Sequence, residues 1–376
     1  MKATASGPLS PFYSPSSGMD YNGLARAFPV WSHSFPCGQL EDEYAMRTRK
    51  SATEGLFYVR LIEASSATFS SVTARIARKM GQRQYKKQEK TANHISEEIH
   101  ENMANRTCTA RVASPRGRRF HDRTREQSFL WSVVREPVSR LVSKFYHYSN
   151  IGRKTLRGQT TLDRFQNFVF NSQPQDYGYY YRSLGVSRNF NPYNKEHEKD
   201  TREVLESYDF LGVSERIDES LAVLKIILDL DIQDILYLPM ESAGPKSSNS
   251  DMIDGFEIDY YENWRGNECR PIPKSKITFE MKEWFYSEEF EALIEADVMF
   301  YKAVNASLDK TIAELGRDLV ERTVRELRLA QKQVEEKCRS IKFPCSSDGK
   351  IQKETDCLFS NSNIGCGYKC LDTLEI

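Results

Sequence analysis

The chain has 376 residues and carries 53 basic and 53 acidic side chains, for a formal net charge of zero. That balance excludes a global electrostatic pull toward nucleic acid or an anionic membrane surface. The 39% apolar content suffices for a large core with an appendage, while the sequence has no 18-residue apolar run to cross a membrane and no signal-peptide pattern at its start.

Residues 1–50 are poor in pattern and rich in Ser, Pro and Gly, so a disordered or extended segment is expected. Residues 55–62 read as a strand, and Glu63 to Ala67 as a loop of small residues. A helix follows from Thr68, with Phe69, Val72, Ile76 and Met80 on one face and Arg75, Arg78 and Lys79 on the other. A loop between strand and helix can cradle a phosphate with backbone N–H groups and hydroxyls, although many α/β proteins turn this way. Residues 81–127 are polar and basic, with one short helix marked by Ile95, Ile99 and Met103. From Arg75 to Arg125, 14 Lys and Arg face 5 Asp and Glu, a local excess of +9. This stretch reads either as a solvated connection or as a basic wall facing an anion.

Residues 128–149 form the most informative stretch. Phe129, Leu130, Trp131, Val133 and Val134 make an apolar, β-favouring run, the signature of a buried parallel strand. Arg135 and Glu136 end it, and Pro137 suits the first turn of a helix. Val138, Leu141, Val142, Phe145 and Tyr146 then recur at helical spacing, while Arg140, Ser143 and His147 share the opposite face. In open α/β sheets, ligands collect at the C-terminal ends of strands, where helix N-termini favour phosphate. Arg135 would add a planar fork of donors there, or else cap a loop or pair with Glu136 or Asp122.

Further on, residues 160–170 predict a helix capped by Thr160, with Asp163 three positions later. Tyr177, Tyr179, Tyr180 and Tyr181, with Arg182, would pack over the sheet edge or stack on sugar faces. Residues 202–206 read as helix and 208–213 as strand. Asp218 would cap a helix through Leu221, Leu224, Ile227 and Leu228, and 235–238 would form a further short strand. Residues 242–275 read as a long surface loop, and 278–337 as mostly helical, ending in a charged helix with little apolar face from Arg317. Strands alternating with helices predict an α/β fold with a parallel sheet flanked by helices.

Eight cysteines are present, five of them (Cys338, Cys345, Cys357, Cys366 and Cys370) within the last 39 residues. That tail is too polar to bury a core unaided, so disulfide staples are expected. Zinc is the rival reading, weakened by the lack of any Cys-x-x-Cys pair. Sequons at Asn105 and Asn305, with the Cys-rich tail, favour an oxidising secretory compartment. The expected parts are thus an N-terminal segment over 1–50, an α/β domain over 51–315, and a charged helix with a disulfide-rich tail over 316–376.

The run R-E-P-V-S-R-L-V-S-K-F from Arg135 to Phe145 resembles the 3′-phosphate motif R-[DE]-P-x-x-R-x-x-S-x-[FY] of sulfotransferases, most of all the membrane-anchored carbohydrate sulfotransferases. The words Y-D-F-L-G-V-S-E-R-I-D-E-S-L from Tyr208 and D-V-M-F-Y from Asp297 resemble later segments of that family, so the likeness covers about residues 55–305. It implies a fold similar to P-loop kinases, although the Walker signature is absent. By this resemblance, Arg135 and Ser143 would hold the 3′-phosphate of the co-substrate 3′-phosphoadenosine 5′-phosphosulfate (PAPS), and Ser65, Ser66 and Thr68 its 5′-phosphosulfate.

The family's loop P-K-x-x-S-S-T-[FL] is only partly kept, with Ile62 where Pro is expected and Glu63 where Lys is expected. A carboxylate there repels the donor rather than steadying its leaving oxygen. The resemblance also implies a histidine base before the second strand. His121 is the nearest candidate, with His94 and His100 as rivals. The activity implied is sulfuryl transfer to a carbohydrate hydroxyl in the Golgi or secretory lumen, without metal or nucleic acid, and with membrane attachment only through an anchor not visible in this chain. One alternative is a relative impaired by Glu63 that binds a nucleotide or glycan without turnover. Another is a Cys-rich binding tail on an inert body.

Overall fold

The computed structural model describes residues 21–33, 37–39, 53–92, 106–108, 110–113, 117–148, 160–171, 178–185, 196–238, 252–253, 256–264, 268–357 and 365–374. A short helix α1 (Tyr21–Leu24) and strand β1 (Cys37–Gln39) lead into β2 (Gly55–Val59) and the long helix α2 (Ser66–Ala92). Strands β3 (Arg106–Cys108), β4 (Ala110–Ala113) and β5 (Ser128–Val134) follow. Next come helices α3 (Pro137–Tyr148), α4 (Thr161–Asn171), α5 (Tyr179–Leu184) and α6 (His197–Ser207). Strand β6 (Phe210–Val213) precedes helix α7 (Ile217–Ile227).

Strands β4, β2, β5 and β6 lie side by side in that order, every neighbour parallel. Leu56 pairs with Phe129, and Val133 with Gly212. All five residues of β2 and all seven of β5 are buried. A parallel sheet covered by helices demands such unbroken apolar strands. Trp131 anchors the centre, its ring 4.8 Å from Tyr58, 5.9 Å from Phe69 and 6.5 Å from Phe210.

The apolar face of α3 builds a second cluster, in which Val138, Leu141, Val142 and Phe145 meet Phe165 and Val169 of α4. The predicted capping box of α4 is present. Thr160 N donates to Asp163 Oδ2 at 2.9 Å, and Asp163 N donates to Thr160 Oγ1 at 3.1 Å. Helix α7 starts differently from expectation. Arg216 is its N-cap residue, and Asp218 instead accepts from Arg328 Nε at 2.6 Å.

Four regions depart from the sequence reading. Residues 21–33 pack onto the body, with Leu24 and Phe28 buried and Phe28 N donating to Thr311 Oγ1 at 2.9 Å. A few large apolar side chains suffice to anchor a segment whose composition is otherwise polar. Residues 232–235 form a 3-10 turn capped by Asp231, and 236–238 run on without strand pairing among the described residues. The stretch read as a long loop holds a three-stranded antiparallel sheet of β7 (Met252–Ile253), β8 (Phe256–Trp264) and β9 (Glu268–Pro273). Pro271 and Pro273 lie in β9 at the sheet edge, where a missing N–H is tolerated.

The fourth departure is at the C-terminal end. Helices α8 (Phe279–Phe285), α9 (Glu288–Leu315) and α10 (Arg317–Lys337) lead to α11 (Tyr368–Thr373). Helix α10 does carry an apolar stripe, since Val320, Val324, Leu327, Ala330 and Val334 are buried in the main core. The i, i+4, i+7 spacing was present but sparse among charged residues. The tail is bound to this body rather than appended to it. Disulfides join Cys269 to Cys345, Cys338 to Cys370 and Cys357 to Cys366. Asp372 meets Arg75 at 2.8 Å, Lys79 at 2.9 Å and Arg78 at 3.3 Å, so the basic face of α2 receives the tail. Leu371 and Leu374 join the main core. Three disulfides fit a secreted or lumenal location, and among the described residues no helix is long and apolar enough to cross a membrane.

One sequon, Asn105, lies outside the described residues. The other lies within α9, where Ser307 is fully buried and Asn305 Oδ1 accepts from Arg216 Nη1 at 2.9 Å. That helical placement gives it no surface loop on which to carry a glycan.

Candidate functional site

The C-terminal ends of the parallel strands gather the loops that matter. After β2 the chain runs through residues 60–65 before α2 begins. Glu63 and Ser65 both sit in the left-handed region, with φ of 61° and 50°. Each such non-glycine residue costs about 1–2 kcal/mol and must be held by its surroundings. Ile62 N donates to Tyr179 Oη at 2.7 Å, and the Ser65 and Ser214 hydroxyls meet at 2.7 Å. Arg60 Nε donates to Ser66 Oγ at 3.2 Å, tying the end of β2 to the first turn of α2.

After β5 the turn is much shorter. Glu136 takes two N–H groups at the start of α3, from Val138 at 3.1 Å and from Ser139 at 2.7 Å. This corrects one expectation: a carboxylate of the chain itself fills the α3 N-terminus, which is therefore closed to phosphate. Helix α2 has no acidic residue in its first turn and keeps that capacity. Glu136 N in turn donates to Glu215 Oε1 at 3.0 Å, and Tyr301 Oη donates to Glu215 Oε2 at 3.3 Å. Burial raises the Glu215 carboxyl above its ordinary range, with the Glu136 N–H pulling the other way. Tyr180 fixes the same turn, its hydroxyl donating to the Arg135 carbonyl and accepting from Arg135 N at 3.2 Å. Tyr179, Tyr180 and Tyr181 are thus buried packing and loop supports, while Tyr177 lies outside the described residues.

Between these loops and the β8–β9 hairpin lies a cleft of about 360 Å³. Its sheet-side wall holds Arg60, Glu63, Ser65, Ser66, Thr68, Arg135, Ser143 and His147. Its outer wall holds Asp259, Tyr260, Glu262 and Lys274. The five residues assigned to the co-substrate from the sequence (Ser65, Ser66, Thr68, Arg135 and Ser143) therefore share one cleft. They come from two different strand–loop–helix units.

Inside the cleft, Glu63 is the hub. Ser143 Oγ donates to Glu63 Oε2 at 2.7 Å, and Arg135 Nη1 donates to the Glu63 carbonyl at 3.1 Å. His147 lies with Nδ1 3.5 Å from Glu63 Oε1 and Nε2 3.2 Å from Glu262 Oε2. Burial is the largest influence on His147 and lowers its pKa. The Glu262 bond and the charges of Glu63 and Glu262 outweigh it, so the net shift is upward. Glu262 moves the opposite way. Burial would raise it, but the His147 bond and charge, with Arg270 and Arg60, hold it below the usual carboxylate range. Burial pushes Tyr148 up to about 12.

His121 is not among the described residues that line the cleft. Its Nδ1 lies 2.9 Å from the Arg118 carbonyl. Arg123, two residues on, bonds Ser128 O at 2.7 Å and Asp209 at 2.8 Å, at the N-terminal ends of β5 and β6. His121 therefore sits toward the N-terminal ends of the strands, opposite the cleft. His94 and His100 lie outside the described residues. The sequence reading missed Arg60, Glu262 and Lys274 and gave His147 no role. The signal for His147 was its place one helical turn beyond Ser143 on the same face. Among the described residues no group of His, Cys, Asp and Glu is arranged to hold a metal ion.

The arrangement suits an anion bound against Arg60, Arg135 and the α2 N-terminus, with a titratable His–Glu pair on the far side. Compared with models of known protein families, with curated proteins and with solved structures, the chain matches none.

Proposed function

We propose that this chain is a sulfotransferase that moves the sulfuryl group of PAPS to a carbohydrate hydroxyl, in the Golgi lumen or another secretory compartment. The observation that supports this is the convergence of Ser65, Ser66, Thr68, Arg135 and Ser143 on one cleft. The first three would hold the 5′-phosphosulfate at the start of α2, and Arg135 and Ser143 the 3′-phosphate. Arg60 would supply the cation that position 63 lacks, stabilising charge on the departing phosphate. The acceptor would enter along β8, where Tyr260 offers a ring and the Glu262 carboxylate can take the hydroxyl proton. The acceptor oxygen bonds to sulfur as the bond from sulfur to the bridging oxygen breaks. Adenosine 3′,5′-bisphosphate leaves with that electron pair.

Glu63 favours a second reading, a binding module of the same fold without turnover, because its carboxylate lies where the family keeps a lysine. Calorimetric titration with adenosine 3′,5′-bisphosphate tests what both readings share, and transfer of labelled sulfate from PAPS to a glycan panel separates them. Arg135→Ala should weaken nucleotide binding by about 1.5–3 kcal/mol, roughly 10- to 150-fold. Unchanged affinity in that variant would remove the site assignment.

A further inference from the structure

We infer that Glu63 is the resident occupant of the anion clasp made by Arg135 and Ser143, and that an entering phosphate group displaces its carboxylate toward His147. The inference rests on the proposed anion cleft and names the residue that decides its affinity. Its basis is that both arms of the clasp are engaged by one residue. Ser143 Oγ donates to the Glu63 carboxylate at 2.7 Å and Arg135 Nη1 to the Glu63 carbonyl at 3.1 Å. A serine hydroxyl has a single proton to donate, so it serves either Glu63 or a ligand oxygen. Arg135 has further N–H donors and can turn its fork to a phosphate. A carboxylate left at hydrogen-bonding distance from that phosphate would repel it, so ligand entry requires Glu63 to move.

The cleft already contains the place for it to go. The second oxygen of Glu63 lies 3.5 Å from His147 Nδ1, just longer than a hydrogen bond. A side-chain rotation that closes this gap frees Ser143. The groups facing His147 are Glu63 from the β2–α2 loop, Glu262 from β8 and Arg270 from β9, whose Nη2 donates to the His147 carbonyl at 2.6 Å. The Tyr148 ring lies 4.7 Å away on the same helix, and Arg60 lines the same cleft. As an imidazolium, His147 can pair with two carboxylates at once. As a neutral ring it has one N–H to give and cannot hold both. Anion affinity should therefore fall as pH rises through the titration of His147.

The test is calorimetric titration of the full chain with inorganic pyrophosphate and, separately, with adenosine 3′,5′-bisphosphate, at about pH 6 and about pH 8. Wild type would be compared with Glu63→Gln, Glu63→Gly and His147→Gln. Glycine suits the positive φ at position 63, so a misfolded Gln variant would not hide the result. Both Glu63 variants should bind pyrophosphate roughly tenfold or more tightly than wild type. Wild-type affinity should drop between the two pH values by more than that of His147→Gln, which shares any titration of the probe itself. Glu63 variants no tighter than wild type would overturn the inference. Tighter pyrophosphate binding without nucleotide binding in any variant would uphold it and remove the PAPS reading. Nucleotide binding indifferent to Glu63 would do the reverse, and a cleft that takes neither probe in any variant would overturn both.

Discussion

The two strand–loop–helix units at the heart of the molecule look alike in outline and differ in temperament. The unit from β5 to α3 turns in two residues, and Glu136 closes its helix start with two hydrogen bonds. The unit from β2 to α2 takes six residues to turn, holds two of them in the left-handed region, and leaves its helix start free of acidic residues. The first is therefore a rigid support that offers the cleft side chains alone, Arg135 and Ser143. The second offers backbone donors and hydroxyls on a loop that must be held in place. Family-level motif reading treats both as phosphate grips. The caps distinguish them, because a helix end already satisfied from within has nothing left to give a ligand.

The sharpest way to break both units together is Trp131→Ala. Its ring is fully buried between Tyr58 and Phe69, so the change should cost about 3–5 kcal/mol in chemical denaturation. Glu136→Ala attacks only the rigid unit. It should cost about 1–2 kcal/mol for the lost cap, and it should weaken anion binding as Arg135 loses its fixed place. A loss confined to stability would mean that Tyr180 and the Glu63 carbonyl hold Arg135 in place without the cap.

The cleft wall gives a smaller, pH-dependent effect. The folded pKa of His147 is raised, so the stability from its carboxylate pairs is complete below about pH 6.5, the ordinary histidine value. It is lost as pH rises through the higher folded value. Thermal unfolding followed across that window should show this loss in wild type and not in His147→Gln. The smallest effect should be Ser65→Gly. Relief of the left-handed strain offsets the added freedom of the unfolded chain, so stability should change by less than about 1 kcal/mol. A large loss would make the Ser65–Ser214 contact the main support of the loop.

Both units were legible in the sequence because each writes its period plainly. The run from Phe129 to Val134 is unbroken and apolar, and Val138, Leu141, Val142 and Phe145 follow at helical spacing. The five cleft residues were legible from the motif and came together as a group. What stayed hidden depends on partners distant in sequence. The β8–β9 hairpin was masked by two prolines that only an edge position excuses, so Glu262 and Lys274 went unseen. His121 was the nearest histidine before the second strand of the motif, but it lies toward the N-terminal ends of the strands, away from the cleft. His147 was visible on the Ser143 face, yet nothing local announced the two carboxylates that bracket it. The stripe on α10 was present in the letters and diluted by charge.

The bridge from Cys269 to Cys345 has a consequence for how the cleft would behave outside an oxidising environment. It fastens β9, and with it the outer wall of the cleft, to a tail that is anchored elsewhere by Asp372 and by the Cys338–Cys370 bond. Closing a loop of 76 residues is worth about 4.5 kcal/mol on the chain-entropy estimate. A thiol reductant would loosen that wall without touching any residue that lines the cleft. The shape of the cleft is thus hostage to the redox state of its surroundings.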